Sequence, residues 1–149
     1  MGLFDTDHEE PKSKLRRWSI TSVVFVLLVG LWAWYHFRFY PERRAAERFF
    51  EAVAAGDLQR AYQLWKPPST YAYKDFLDDW GPGGYYGALK SYHVESAQAP
   101  PRGGSGVIVT IEFSPCQPFP STPDALNRCA VREVKLWVET KDKSLSFPP

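Results

Sequence analysis

The apolar residues of this chain change their spacing twice. From Trp18 to Phe37 they are nearly continuous: twenty residues, WSITSVVFVLLVGLWAWYHF, carry no formal charge and are bounded by Arg17 and Arg38. Coiled as a helix, such a run spans about 30 Å, the thickness of a bilayer's hydrocarbon core, and so predicts a transmembrane helix. Trp32, Trp34, Tyr35, Phe37, Phe39 and Tyr40 crowd its C-terminal end, as in the aromatic belts of membrane interfaces. The expected organisation is a disordered cytoplasmic tail over residues 1–17, a transmembrane helix with its interface over 18–40, and one folded domain over 41–149.

Past Pro41, which should restart the chain, the period becomes helical. Ala45, Ala46, Phe49, Phe50, Val53 and Ala54 form one stripe, with Glu42, Arg44, Glu47, Arg48 and Glu51 elsewhere. This predicts a core-facing amphipathic helix to about Ala55. Gly56 suits the left-handed turn that ends it, and Asp57 the cap of a second helix over 58–65, stopped by Pro67 and Pro68. Ser69 or Thr70 is the expected cap of a third, with Tyr73, Phe76, Leu77 and Trp80 on one side and Gly81-Pro82 at its end.

Beyond Trp80 the period falls to two. Residues 89–97 alternate weakly, with Tyr92 and Val94 on one face and His93 and Glu95 on the other, before PPRGGSG turns the chain. Val107, Val109, Ile111 and Phe113 share a face of one strand, and Val134, Leu136 and Val138 a face of another. Pairing them antiparallel sets Val107 opposite Val138, Val109 opposite Leu136 and Ile111 opposite Val134. The same register sets Glu112 against Glu133, a mild repulsion within reach of Lys135, and Cys116 against Cys129. These are the only cysteines, so a disulfide is expected. A turn at 141–143 leads to a short last strand with Leu145 and Phe147. Three helices followed by four antiparallel strands make an α+β domain, its helices gathered on one face of a curved sheet.

Composition narrows the setting. Residues 41–149 hold thirteen Lys plus Arg and thirteen Asp plus Glu, a neutral balance that argues against nucleic acid as a partner. A buried core helix needs more surrounding protein than the flanks of the apolar run supply. A cleaved signal peptide has a shorter apolar region and a small-residue exit, whereas this one leaves through Leu-Trp-Ala-Trp-Tyr-His. Lys and Arg are balanced on the two sides of the run, but the rule that sets orientation counts short loops, and a long domain translocates despite its charges. The N-terminus is therefore expected in the cytoplasm and the domain outside it.

The segment FFEAVAAGDLQRAYQLW, from Phe49 to Trp65, resembles the opening helix-GD-helix phrase of the NTF2-like superfamily. The resemblance implies a cone of helices on a sheet. A cytoplasmic tail, single span and outer NTF2-like domain also look like VirB8-type secretion components and Mce-associated membrane proteins, which implies an envelope setting and a membrane-protein partner or self-association. Enzymatic members such as ketosteroid isomerases and SnoaL-type cyclases place an Asp base and Tyr or His donors inside the cone. The residues here that would line such a pocket are Tyr62, Trp65, Asp75, Asp79, Trp80 and Tyr92.

A carboxylate in an apolar cone becomes a usable base when burial raises its pKa. Asp75, Asp78 and Asp79 lie along a short helix, however, where acids ordinarily face water and favour the helix dipole. His8, His36 and His93 have no ligand spacing, and no Gly-rich segment has phosphate-loop order, so no metal or cofactor is expected. The aromatic richness fits either a filled core or an aromatic-lined pocket. Trp137 stands out because its parity opposes that of Leu136 and Val138; a large ring on the outer sheet face marks a partner surface or a covering loop. The expectation is a non-catalytic domain for ligand binding or protein assembly, with an isomerase- or cyclase-like enzyme using an Asp/Tyr pair as the alternative.

Overall fold

The computed structural model describes residues 12–149, which divide between Arg38 and Phe39 into two units. The tail expected over 1–17 falls largely outside the described residues, as does His8. Its last six residues already belong to α1 (Lys12–Phe37), so the helix starts before the apolar run does. α1 is long and apolar enough to cross a membrane. All seven side chains over residues 23–29 are 46–66% exposed. At its C-terminal end the Arg38 guanidinium lies 5.1 Å from the Tyr35 ring centre and 5.9 Å from that of Trp34.

The second unit opens with α2 (Tyr40–Ala54). Pro41 sits in its first turn, where the amide that proline lacks would have had no partner. Ala46, Phe49, Phe50 and Val53 are buried, joined by Ala52. The helix ends as expected: Gly56 takes φ +77°, its amide donates to Val53 and that of Asp57 to Ala52, the paired bonds of a Schellman turn. Asp57 then accepts from the Arg60 amide at 3.1 Å and caps α3 (Leu58–Trp65).

α4 (Tyr73–Trp80) corrects the expected cap. Ser69 and Thr70 lie too early; Ala72 occupies the cap position, and its amide donates to Asp75 Oδ2 at 3.0 Å. Asp75 is thus an exposed helix-starting residue. α3 ends on Lys66 with φ 50°, and the turn after β3 places Lys143 at φ 59°. Left-handed backbone costs a side-chain-bearing residue on the order of 1 kcal/mol.

The sheet is an open meander in the order β1 (Ser91–Gln98), β2 (Gly106–Ser114), β3 (Arg132–Glu139), β4 (Leu145–Ser146), antiparallel throughout. β2 and β3 pair in the expected register, Val107 with Val138, Val109 with Leu136, Ile111 with Val134, and Glu112 opposite Glu133. Lys135 lies 3.6 Å from Glu133. Two features were not anticipated: a bulge at Glu95 in β1, and a short helix α5 (Pro123–Arg128) in the Pro-rich connection, capped by Thr122.

α2 packs across β1, β2 and β3. Between them the core is aromatic. Phe49 meets Phe50, Phe76 and Trp80 edge-on, with interplanar angles of 82–84°, and Trp65 at 5.1 Å. Edge-to-face packing puts ring hydrogens on ring faces and adds to the area term.

Candidate functional site

The residues expected to line a pocket do not gather around one. Trp65 and Trp80 are 2% and 1% exposed and form part of the packed interior with Phe49 and Phe76. Tyr92, on β1, leans its ring against Phe50 at 5.6 Å, and its hydroxyl reaches Glu51 at 3.5 Å. Tyr62 packs on Tyr73 and Phe76, and its hydroxyl donates to the Tyr71 carbonyl at 2.8 Å. Asp75 is exposed on its cap.

Asp79 is half-buried and does have a phenol partner, though not one the sequence singled out. Tyr71, in the loop before α4, donates its hydroxyl to Asp79 Oδ2 at 2.5 Å. Burial, and then Asp79 itself, raises the Tyr71 pKa above the usual phenol range. Burial followed by Glu51 pushes Tyr92 up to about 12. Both phenols are therefore protonated donors at neutral pH. No local pattern marks Tyr71, which lies among loop residues.

Over this interior the C-terminal segment lays another ring. Phe147 lies 5.3 Å from Trp65, and stacks with Trp80 at 6.3 Å and with Tyr86 at 5.9 Å. Tyr86 in turn stacks on Trp80 at 4.3 Å. Arg132 fixes this corner by donating to the carbonyls of Tyr85 and Tyr86 at 2.9 and 3.0 Å. Within this layer the Trp80 indole N–H has no partner among the described residues, a cost tolerated for filling the space.

On the outer sheet face Trp137 is half-buried beneath the glycine-rich loop. A Cβ at Gly106 would collide with its ring, and one at Gly104 would come within 2.7 Å. Glycine lets the loop lie flat on the indole. Its N–H reaches Glu139 at 3.4 Å. The loop that covers this tryptophan is thus PPRGGSG, and the ring still presents part of its surface.

Cys116 and Cys129 stand at disulfide distance, their Cα atoms 6.3 Å apart, one just after the end of β2 and the other just before the start of β3. The fully buried Ser114 hydroxyl lies 3.3 Å from Cys129 Sγ and also accepts from the Cys116 amide. Among the described residues no three His, Cys, Asp or Glu side chains converge as metal ligands; His93 lies on the outer face, 6.0 Å from the Phe119 ring. Comparison of the chain with protein-family models, curated proteins and solved structures finds no match.

Proposed function

We propose that the chain is a single-pass membrane protein, anchored through residues 18–37 with its N-terminus in the cytoplasm. It presents an NTF2-like domain outside the cytoplasm for ligand binding or protein assembly at the cell envelope, without catalysis. The observation that carries the non-catalytic reading is the aromatic filling between helices and sheet. Phe49, Phe50, Phe76 and Trp80 are at most 1% exposed where an enzymatic cone would hold substrate. The close Cys116 and Cys129 pair supports an oxidising compartment. The length and composition of α1 support the anchor, and the partly exposed Trp137 supports a surface role.

The isomerase-like alternative draws on one observation, the Tyr71 hydroxyl on Asp79. The test is complementation of a deletion strain by Trp137→Ala, Asp75→Asn and Asp79→Asn, each scored beside its melting temperature. Assembly predicts that Trp137→Ala weakens function, by about thirtyfold in partner affinity for a typical interface tryptophan, and that both Asp variants are silent. Loss confined to Asp79→Asn at unchanged melting temperature would instead establish the acid-phenol pair as the working site.

A further inference from the structure

Where α2 begins, a cleft of about 440 Å³ falls within the range of small-ligand sites. Four cations line it, Arg44 and Arg48 from α2, Lys66 from the end of α3 and Lys143 from the turn between β3 and β4, with Tyr40 and Leu64 among its apolar walls. Among the described residues none of those lining it is a carboxylate, although Glu42 pairs with Lys143, and Glu47 and Glu51 with Arg44. We propose that this cleft binds the phosphate of an anionic phospholipid headgroup, a role that rests on the membrane-anchored reading above.

Three observations converge. First, the only two non-glycine residues with left-handed backbone among those described are Lys66 and Lys143, and both line this cleft. Lys66 ends α3 and Lys143 lies in a separate turn, so two left-handed residues on different loops each deliver an ammonium to one place, a clustering that supports a site.

Second, the cations keep donors to spare. Lys66 donates to the Asp142 carbonyl, and Lys143 to Glu42 at 2.7 Å and to the Thr140 carbonyl. Arg44 meets Glu47 and Glu51 through one terminal nitrogen. An ammonium offers three N–H groups and a guanidinium five. Arg48 is exposed and has no bonding partner among the described residues.

Third, Tyr40 follows the last residue of the apolar run by only three positions. Chain connectivity thus leaves only Arg38 and Phe39 between the apolar run and Tyr40 in the cleft wall. Basic residues close to a membrane are drawn to its anionic lipids, and the apolar walls suit the glycerol end of a headgroup. A free phosphate would satisfy the same cations but gain nothing from those walls.

The experiment titrates full-length protein in a neutral maltoside detergent with dihexanoyl phosphatidylglycerol, dihexanoyl phosphatidylcholine and inorganic phosphate, read by calorimetry. Saturable phosphatidylglycerol binding that weakens with salt, beside weak binding of the other two, is expected. Arg48→Gln and Lys66→Gly should each weaken it about fivefold, and together about twenty-five-fold. Neither residue pairs with a buried carboxylate, and glycine adopts the left-handed turn freely, so melting temperatures should hold. Unchanged binding by the double variant, or phosphatidylcholine or inorganic phosphate binding as tightly as phosphatidylglycerol, overturns the site. Wild-type chain released from membranes by alkaline carbonate overturns the anchor and with it this proposal; chain that stays while the titrations fail overturns the headgroup site alone.

Discussion

The seven residues 23–29 of α1 are 46–66% exposed, while Phe49 and Phe50 of α2 are fully buried. Both helices carry large apolar side chains, and a main difference lies in their angular distribution. In α1 the apolar residues run round the whole cylinder, so no single protein face could cover them. In α2 they occupy one stripe, with Arg43, Arg44 and Glu47 paired on the helix's polar side. A stripe calls for a sheet; a full cylinder calls for a surrounding apolar solvent.

Three substitutions or conditions separate the two helices. The largest effect is expected from Phe49→Ala, which removes a ring touching Phe50, Trp65, Phe76 and Trp80. A loss of about 3–5 kcal/mol in the stability of the domain should appear in denaturant melts, with membrane retention unchanged. Next, Leu27→Arg places a charge at the middle of the apolar run of α1, at a cost of about 3 kcal/mol for insertion into a bilayer. It should raise the fraction released by alkaline carbonate while leaving the melting temperature of the domain alone. If Leu27→Arg lowered that melting temperature, α1 would be a core helix and the contrast would fail.

The smallest effect belongs to the phenols around the α2 stripe. Tyr71 and Tyr92 both hold their protons more tightly folded than unfolded, burial being the first cause. Their contribution is therefore complete below the unfolded pKa of 10.0 and is lost as pH rises through the folded values, about 12 for Tyr92. Melting temperatures taken from pH 8 to 12 should fall above pH 10, and less steeply in a Tyr71→Phe, Tyr92→Phe double variant. An equal fall in that variant would assign the alkaline loss to other groups.

Periodicity made the stripe of α2 and the β2–β3 register legible, because each buried position repeats at a spacing that one face imposes. The Gly56-Asp57 junction was legible because only a few residue types suit its backbone. The bulge at Glu95 was not, since Ser96, Ala97 and Gln98 carry too little apolar contrast to reveal a shift of face. α5 is six residues long, too short for its period to register. In the candidate site, the sequence named Asp79 but not Tyr71, whose hydroxyl reaches it from a loop. Lys66 and Lys143 were equally invisible, because lysine gives no hint of left-handed backbone.

The meander leaves two open margins. Among the described residues one side of β1 has no strand beside it, and β4 pairs only with Trp137 and Val138, so β3 from Arg132 to Leu136 has no strand partner on that side. Unpaired strand edges invite ribbon-like aggregation between copies. Here the Glu95 bulge breaks one margin, and Arg132, Glu133 and Lys135 put charge on the other. Both devices oppose edge-to-edge pairing between copies of this domain.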